Sequence, residues 1–189
     1  MKKDRFVAFF DAIMAIIMTI AVLEFAVPNG ARWSDLNELA FQVVVYALSF
    51  FWLGMMWVNI HNLWNYADYI SRPVIVVNIV MLFFSSMIPF LVIYVGRFSD
   101  ELVPQMLYGI DVICISICNH ISSELLIKEN PQLKGAVKAL RLIDATDMGI
   151  KLLGFVIGMT VYPPAVMFSV FIAAVILLLS FFMMKKRIR

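Results

Sequence analysis

Charge is scarce in this 189-residue chain: Asp, Glu, Lys and Arg together supply 15% of it, while 63% is hydrophobic. Soluble domains carry roughly a quarter charged residues, so a water-solvated globule of this size would lack the polar side chains to cover itself. Long polar stretches are also missing, which excludes a separate catalytic domain. No Gly-rich phosphate loop, His-Glu-x-x-His or nucleophile elbow occurs, and the chain is not expected to be an enzyme. The net charge of +2 is small, and its basic residues sit at the ends of apolar runs, which argues against nucleic acid. There are two cysteines, Cys114 and Cys118. They are four apart in one apolar run, where a disulfide within a regular helix has poor geometry. Cys114, Cys118, Asn119 and His120 offer sulfur and imidazole, but a closed zinc site takes four ligands from more than one element. Helix packing is the expected role, with no metal and no cofactor.

Long apolar runs are what the chain does have. A membrane-spanning helix needs about 20 apolar residues at ~1.5 Å rise each. Phe6 to Val27 is the first run, 22 residues closed by Pro28-Asn29-Gly30. It is longer than a signal-peptide core and carries Asp11 and Glu24, so it reads as a retained first helix. Leu39 to Ala67 has 29 residues without Asp, Glu, Lys or Arg, and Pro73 to Gly96 has 24, with a kink expected at Pro89. Leu102 to Ile127 is the fourth run, interrupted by Asp111 and Glu124. Lys128 to Arg141 is the longest polar segment. Leu152 to Met184 is 33 uncharged residues, ~50 Å as one helix and too long for one crossing; Tyr162-Pro163-Pro164 divides it. The fifth span then recruits residues from Leu142, placing Asp144, Asp147 and Lys151 near the headgroups.

The expected fold is all-α, a polytopic membrane protein with six transmembrane helices at about 6–27, 39–61, 73–96, 102–127, 142–161 and 164–184. Residues 1–189 then form a single transmembrane domain whose surroundings are the lipid bilayer. The lysines and arginines set its orientation. Thirteen of the 15 fall on one side: Lys2, Lys3, Arg5, Arg72, Lys128, Lys134, Lys138, Arg141, Lys151, Lys185, Lys186, Arg187 and Arg189. Only Arg32 and Arg97 fall on the other. A multi-pass protein of the cell membrane with both termini cytoplasmic is expected.

On a helical wheel, Phe9, Ile13, Ile16, Ile20, Leu23 and Val27 form one bulky stripe of the first helix. Ala8, Ala12, Ala15, Thr19 and Ala26 form a neighbouring stripe of small residues that permits close helix approach. The bulky stripe could face lipid or an axis, and periodicity does not choose between them. The opening Arg5-Phe6-Val7-Ala8-Phe9-Phe10-Asp11 resembles the Arg-x-x-x-Phe-Ser-Asp signature of the lysosomal potassium channel family and its six-helix bacterial relatives. Later features follow in a similar order: the aromatic second helix from Trp52 to His61 and Trp64, then Asn78-Ile79 to Ile88-Pro89-Phe90. The resemblance covers roughly the first half of the chain.

The resemblance implies a homotetramer whose four first helices line a central pore, with K+ as the permeant ion among monovalent cations. It places the pore constriction at Ile16, Ile20 and Leu23, on the stripe the wheel shows, with Thr19 supporting the filter region. It implies a signature network of Arg5, Phe9, Asp11 and His61. Phe10 stands where the family has Ser and cannot make that hydroxyl's hydrogen bonds, so the network is expected to be rearranged. Glu24, near the outer end, would add negative potential at a pore mouth or simply reach the interface.

Aliphatic rings repel water and act as dewetting gates. Potassium sheds its hydration more cheaply than sodium, so a hydrophobic constriction implies a passive channel with a weak preference for potassium. The chain has no Thr-Val-Gly-Tyr-Gly loop for a carbonyl filter and no Arg-rich helix to sense voltage. Two other readings stay open from residues alone. A proton-coupled small-solute transporter would use the intramembrane carboxylates Asp11, Asp111 and Glu124; a haem-binding redox subunit would use His61 and His120.

Overall fold

The structure, a computed structural model, describes the backbone of residues 3–187 and the side chains of 3–33, 35–37, 39–133 and 141–178. Lys2, Lys134, Lys138, Lys185, Lys186, Arg187 and Arg189, which contribute to the expected orientation, lie outside the residues whose side chains are described. The described residues contain helices and no strand. The helices are α1 (Lys3–Ile20), α2 (Asn37–Tyr66), α3 (Arg72–Ser85), α4 (Ile88–Arg97), α5 (Leu102–Glu129), α6 (Lys134–Thr160) and α7 (Ala165–Arg187). Short 3-10 turns follow α1 (Ala21–Glu24), precede α2 (Trp33–Leu36) and join α5 to α6 (Pro131–Leu133). Among the described residues, four stretches are long and apolar enough to cross a membrane: Lys3–Glu24, Leu39–Tyr66, Arg72–Arg97 and Leu102–Glu129; Ala165–Leu178 is a shorter apolar stretch.

Local chemistry explains the breaks. Ser71 caps α3, its hydroxyl accepting from the Val74 amide, and Pro73 follows in the first turn, where a missing N–H costs nothing. The expected kink at Pro89 is a full break at Ser86–Met87. Pro89 has no N–H for the Ser85 carbonyl, and the Ser86 hydroxyl donates to the Phe83 carbonyl at 2.7 Å. The α-helix of the first run stops at Ile20 rather than reaching Val27. It tightens into a 3-10 turn, and Phe25 is already extended (φ −69°, ψ 124°). The Tyr46 hydroxyl donates at 3.0 Å to the Met18 carbonyl, where α gives way to 3-10, and the Tyr46 ring meets Phe25 edge-on at 5.6 Å. Tertiary contacts from α2 therefore hold the tightened end.

Lys128 to Arg141 is not an extended polar segment: α5 runs to Glu129 and α6 begins at Lys134, eight residues before the expected Leu142. Two things favour this. Ala, Lys, Leu and Arg, which dominate 134–141, are good helix formers. The turn before them is locked by Asn130, 2% exposed. Its carbonyl oxygen accepts from the Asp68 and Tyr69 amides at 2.9 and 3.2 Å, and its amide donates to the Tyr69 and Leu126 carbonyls, both at 2.9 Å. One residue thereby clasps the α2–α3 connection to the end of α5.

Asp147 and Lys151, expected near the headgroups, are buried between helices, with 8% and 2% exposure. The longer α6 carries them into the bundle, where each finds a polar partner. Helix α6 lies closely along α7. A methyl group added at Gly154 would come within 2.2 Å of Ser169 Cβ and 3.0 Å of the Ala165 carbonyl, so the small residue sets the helix separation.

Candidate pore helix and its aromatic anchor

Helix α1 packs on α2, α3 and α4. The face it buries is Phe6, Phe10, Met14, Ile17 and Ala21, spaced by three or four residues so that they share one side. Trp64 of α2 receives the first two: the Phe6 ring lies 5.3 Å from it and the Phe10 ring 4.9 Å, edge-on at 78°. All three are at most 2% exposed. Phe10, in place of the signature serine, therefore sits where an aromatic ring is fully enclosed, and packing replaces the hydroxyl's hydrogen bonds. Edge-to-face pairs of this kind contribute about 0.5–1.5 kcal/mol each beyond their area.

The opposite side of α1 is open among the described residues. Phe9 (49%), Ile16 (60%), Ile20 (42%), Leu23 (78%) and Val27 (89%) are exposed, whereas Ile13 is half-buried against the core. Ile16 and Ile20 follow helical spacing. In the 3-10 turn that succeeds them, residues three apart eclipse, which sets Leu23 in line with Ile20. The stripe of Ala8, Ala12, Ala15, Thr19 and Ala26 is exposed beside it. The Thr19 hydroxyl is turned onto its own helix, donating to the Ala15 carbonyl at 2.8 Å. Glu24 is exposed at the end of the 3-10 turn.

Asp11 joins α1 to α2 through a residue the sequence did not single out. Trp57 Nε1 donates to Asp11 Oδ1 at 2.7 Å. His61, one turn on, has its ring 5.2 Å from that of Trp57 and its Nδ1 3.9 Å from Asp11 Oδ2, beyond hydrogen-bond range. Arg5 is exposed and, among the described residues, takes part in no ion pair. Among the described residues the contacts are thus Asp11 with Trp57 and His61, while Phe9 and Arg5 are exposed. The signal for Trp57 was its i, i+4 spacing to His61, though spacing cannot tell which of four tryptophans reaches a particular carboxylate. Trp57→Phe removes the donor to a partly exposed carboxylate. It should cost about 1–2 kcal/mol, read as a lowered thermal midpoint in detergent, and the cost should largely vanish in an Asp11→Ala background, which has no acceptor at that position.

The remaining sequence candidates have separate settings. Asp111 is buried on α5 with Oδ2 lacking a hydrogen-bond partner, whereas Glu124 pairs with Arg141 through two short hydrogen bonds at the bundle surface. His120 faces Asp144 at 3.5 Å, so the two histidines contact different carboxylates. Cys114 and Cys118 are free thiols on α5.

Comparison with known proteins decides the family. A potassium channel of Chryseobacterium sp. (strain P1-3) is 33% identical over 140 residues, covering 72% of this chain and 73% of that protein. The pattern of the family described as endosomal/lysosomal potassium channel TMEM175 matches residues 5–89. The chain belongs to the TMEM175 potassium channel family. A Streptomyces collinus potassium channel is 30% identical over 92 residues, 47% of this chain and 45% of that one. The crystal structure of a lysosomal potassium-selective channel TMEM175 homolog from Chamaesiphon minutus has the same fold, with a TM-score of 0.77 at 19% identity over 94% of this chain and 96% of that one. The matched stretch 5–89 begins at Arg5 and ends at Pro89, taking in the pore-helix candidate and its anchor on α2. This TMEM175-family chain is a multi-pass membrane protein of a non-enzyme class.

Proposed function

We propose that this chain forms a passive, potassium-selective channel in the cell membrane, weakly preferring K+ over Na+, with residues 1–189 as one channel domain. Six spans are counted by taking α1 with its 3-10 turn, α2, the broken α3–α4 rod, α5, α6 and α7. The even number puts both termini on the side rich in lysine and arginine, the cytoplasm. Four copies meet around α1, with Ile16, Ile20 and Leu23 as stacked constricting rings, Thr19 beside them and Glu24 at the mouth. The observation that carries this reading is the two-sidedness of α1: one apolar face is enclosed by α2 and its neighbours, while an equally apolar face is exposed among the described residues. The small-residue stripe beside it allows neighbouring copies to approach closely.

Liposomes holding purified protein and an outward potassium gradient should show electrogenic potassium flux that needs no proton gradient. Flux that saturates and stops without a proton gradient would instead mark coupled transport. No observation brings Asp11, Asp111 and Glu124 together as a relay.

A further inference from the structure

A second polar centre lies where α2, α5, α6 and α7 meet, and none of its residues is on α1. Lys151 of α6 donates to Asp147 Oδ2 at 2.5 Å and to Ser116 Oγ of α5 at 2.8 Å, and its ammonium lies 4.2 Å from the centre of the Trp52 ring. This accounts for one oxygen of Asp147. The other, Oδ1, is buried without a hydrogen-bond partner, and so is Asn119 Oδ1 on α5. Both residues line a cavity of about 20 Å³, together with Asn59, Ser116 and Asp144.

Two buried, unpartnered acceptors on residues that line one small space call for an occupant that brings protons or positive charge, because an unpaired buried acceptor is costly. Charge narrows the choice. Asp144 and Asp147 supply two negative charges against one from Lys151. His120, its side chain 48% exposed, meets Asp144 from outside. With His120 counted as neutral, one negative charge is left over. The polar residues lining the cavity carry carboxylate, amide and hydroxyl oxygens, which suit hard cations, and Trp52, Met56 and Leu177 complete its wall. Among the described residues, no three His, Cys, Asp or Glu converge as a transition metal would require. The ammonium beside the cavity and the single excess charge disfavour a divalent ion. The space admits one sphere about the size of a water molecule, so an ion entering it sheds its water.

We propose that this pocket binds one dehydrated, sodium-sized monovalent cation through Asp147 Oδ1 and Asn119 Oδ1, with Asn59 and Asp144 closing the shell. Such an ion ties α2, α5 and α6 together away from the conduction path, so sodium acts on the stability of each protomer rather than through the pore. The proposal does not depend on the conduction reading.

The test is thermal unfolding of the full-length protein in detergent, titrated with sodium chloride against choline chloride at constant ionic strength. Sodium should raise the midpoint saturably, by about 3–6 °C at tenfold excess over its dissociation constant, and choline should not. Asn119→Ala leaves the Lys151 ion pair intact and should abolish the saturable part. Asp147→Asn should do the same but also strips Lys151 of its partner, so the asparagine variant is the decisive one. Leu23→Ala should retain the shift. Equal midpoints in sodium and choline would show a pocket holding only water and overturn the proposal. So would a sodium shift that survives Asn119→Ala, or one lost in Leu23→Ala, which would place the ion in the pore.

Discussion

Ile16→Asn is expected to bring the potassium-to-sodium permeability ratio close to one while raising sodium flux. If four Ile16 side chains form a ring, each ion passing it loses part of its hydration shell with nothing polar to replace it, and the ring discriminates through the difference in that cost. A tenfold preference corresponds to only ~1.4 kcal/mol between the two ions at the barrier. An amide supplies an oxygen to either ion and removes most of that difference. Ile16 is 60% exposed within its own chain, so the substitution should leave protomer stability within about 0.5 kcal/mol of the parent. Reversal potentials under bi-ionic conditions read the ratio directly, and thermal unfolding provides the stability control. An unchanged ratio would move selectivity away from this ring, and Leu23→Ala in the same assay would show whether the neighbouring ring carries it.

Trp64→Ala should produce the largest loss of stability. The indole is 2% exposed and is the surface on which both Phe6 and Phe10 rest. Large aromatic-to-alanine changes in cores cost about 3–5 kcal/mol. In lipid the transfer part of that cost shrinks, because acyl tails are as apolar as the core, whereas the cavity and the lost ring contacts remain. A loss of about 3 kcal/mol is expected, appearing as a depressed thermal midpoint. Its functional consequence follows from position: with the anchor gone, α1 keeps the Trp57–Asp11 and Tyr46–Met18 hydrogen bonds but loses the ring stack that fixes its rotation near Phe6 and Phe10, so the Ile16, Ile20 and Leu23 stripe is held less firmly toward one direction. Potassium flux in liposomes should fall at least tenfold even where folded protein is recovered, and Trp64→Phe should restore most of it. Full flux in well-folded Trp64→Ala would mean that α1 is held by its remaining contacts with α2, α3 and α4.

Membrane helices announce themselves locally. Uninterrupted apolar runs, Pro and Gly punctuation and the bias of lysine and arginine each depend on a few neighbouring residues, so the helical character of the chain and the bulky stripe on α1 were readable from the sequence. So was the opening signature, which falls at the start of the 5–89 family match. The ends of elements were less so. Helix α1 stops at Ile20 because Tyr46, 28 residues away from Met18, takes a carbonyl there, and α6 starts early behind a turn clasped by Asn130.

Only the tertiary structure decided which apolar face of α1 is buried. Phe6, Phe10, Met14 and Ile17 are no more hydrophobic than Phe9, Ile16, Ile20 and Leu23. In a bilayer, solvent and core have the same polarity, so composition carries no contrast between a face turned inward and one turned outward. The same holds for Trp57 as the partner of Asp11, and for Lys151 and Asp147. Their i, i+4 spacing was visible, but Ser116 and Trp52, which complete their surroundings, come from other helices. Hydropathy is a property of a segment, whereas the pairing of one polar atom with another across helices depends on rotation and separation that no single segment encodes.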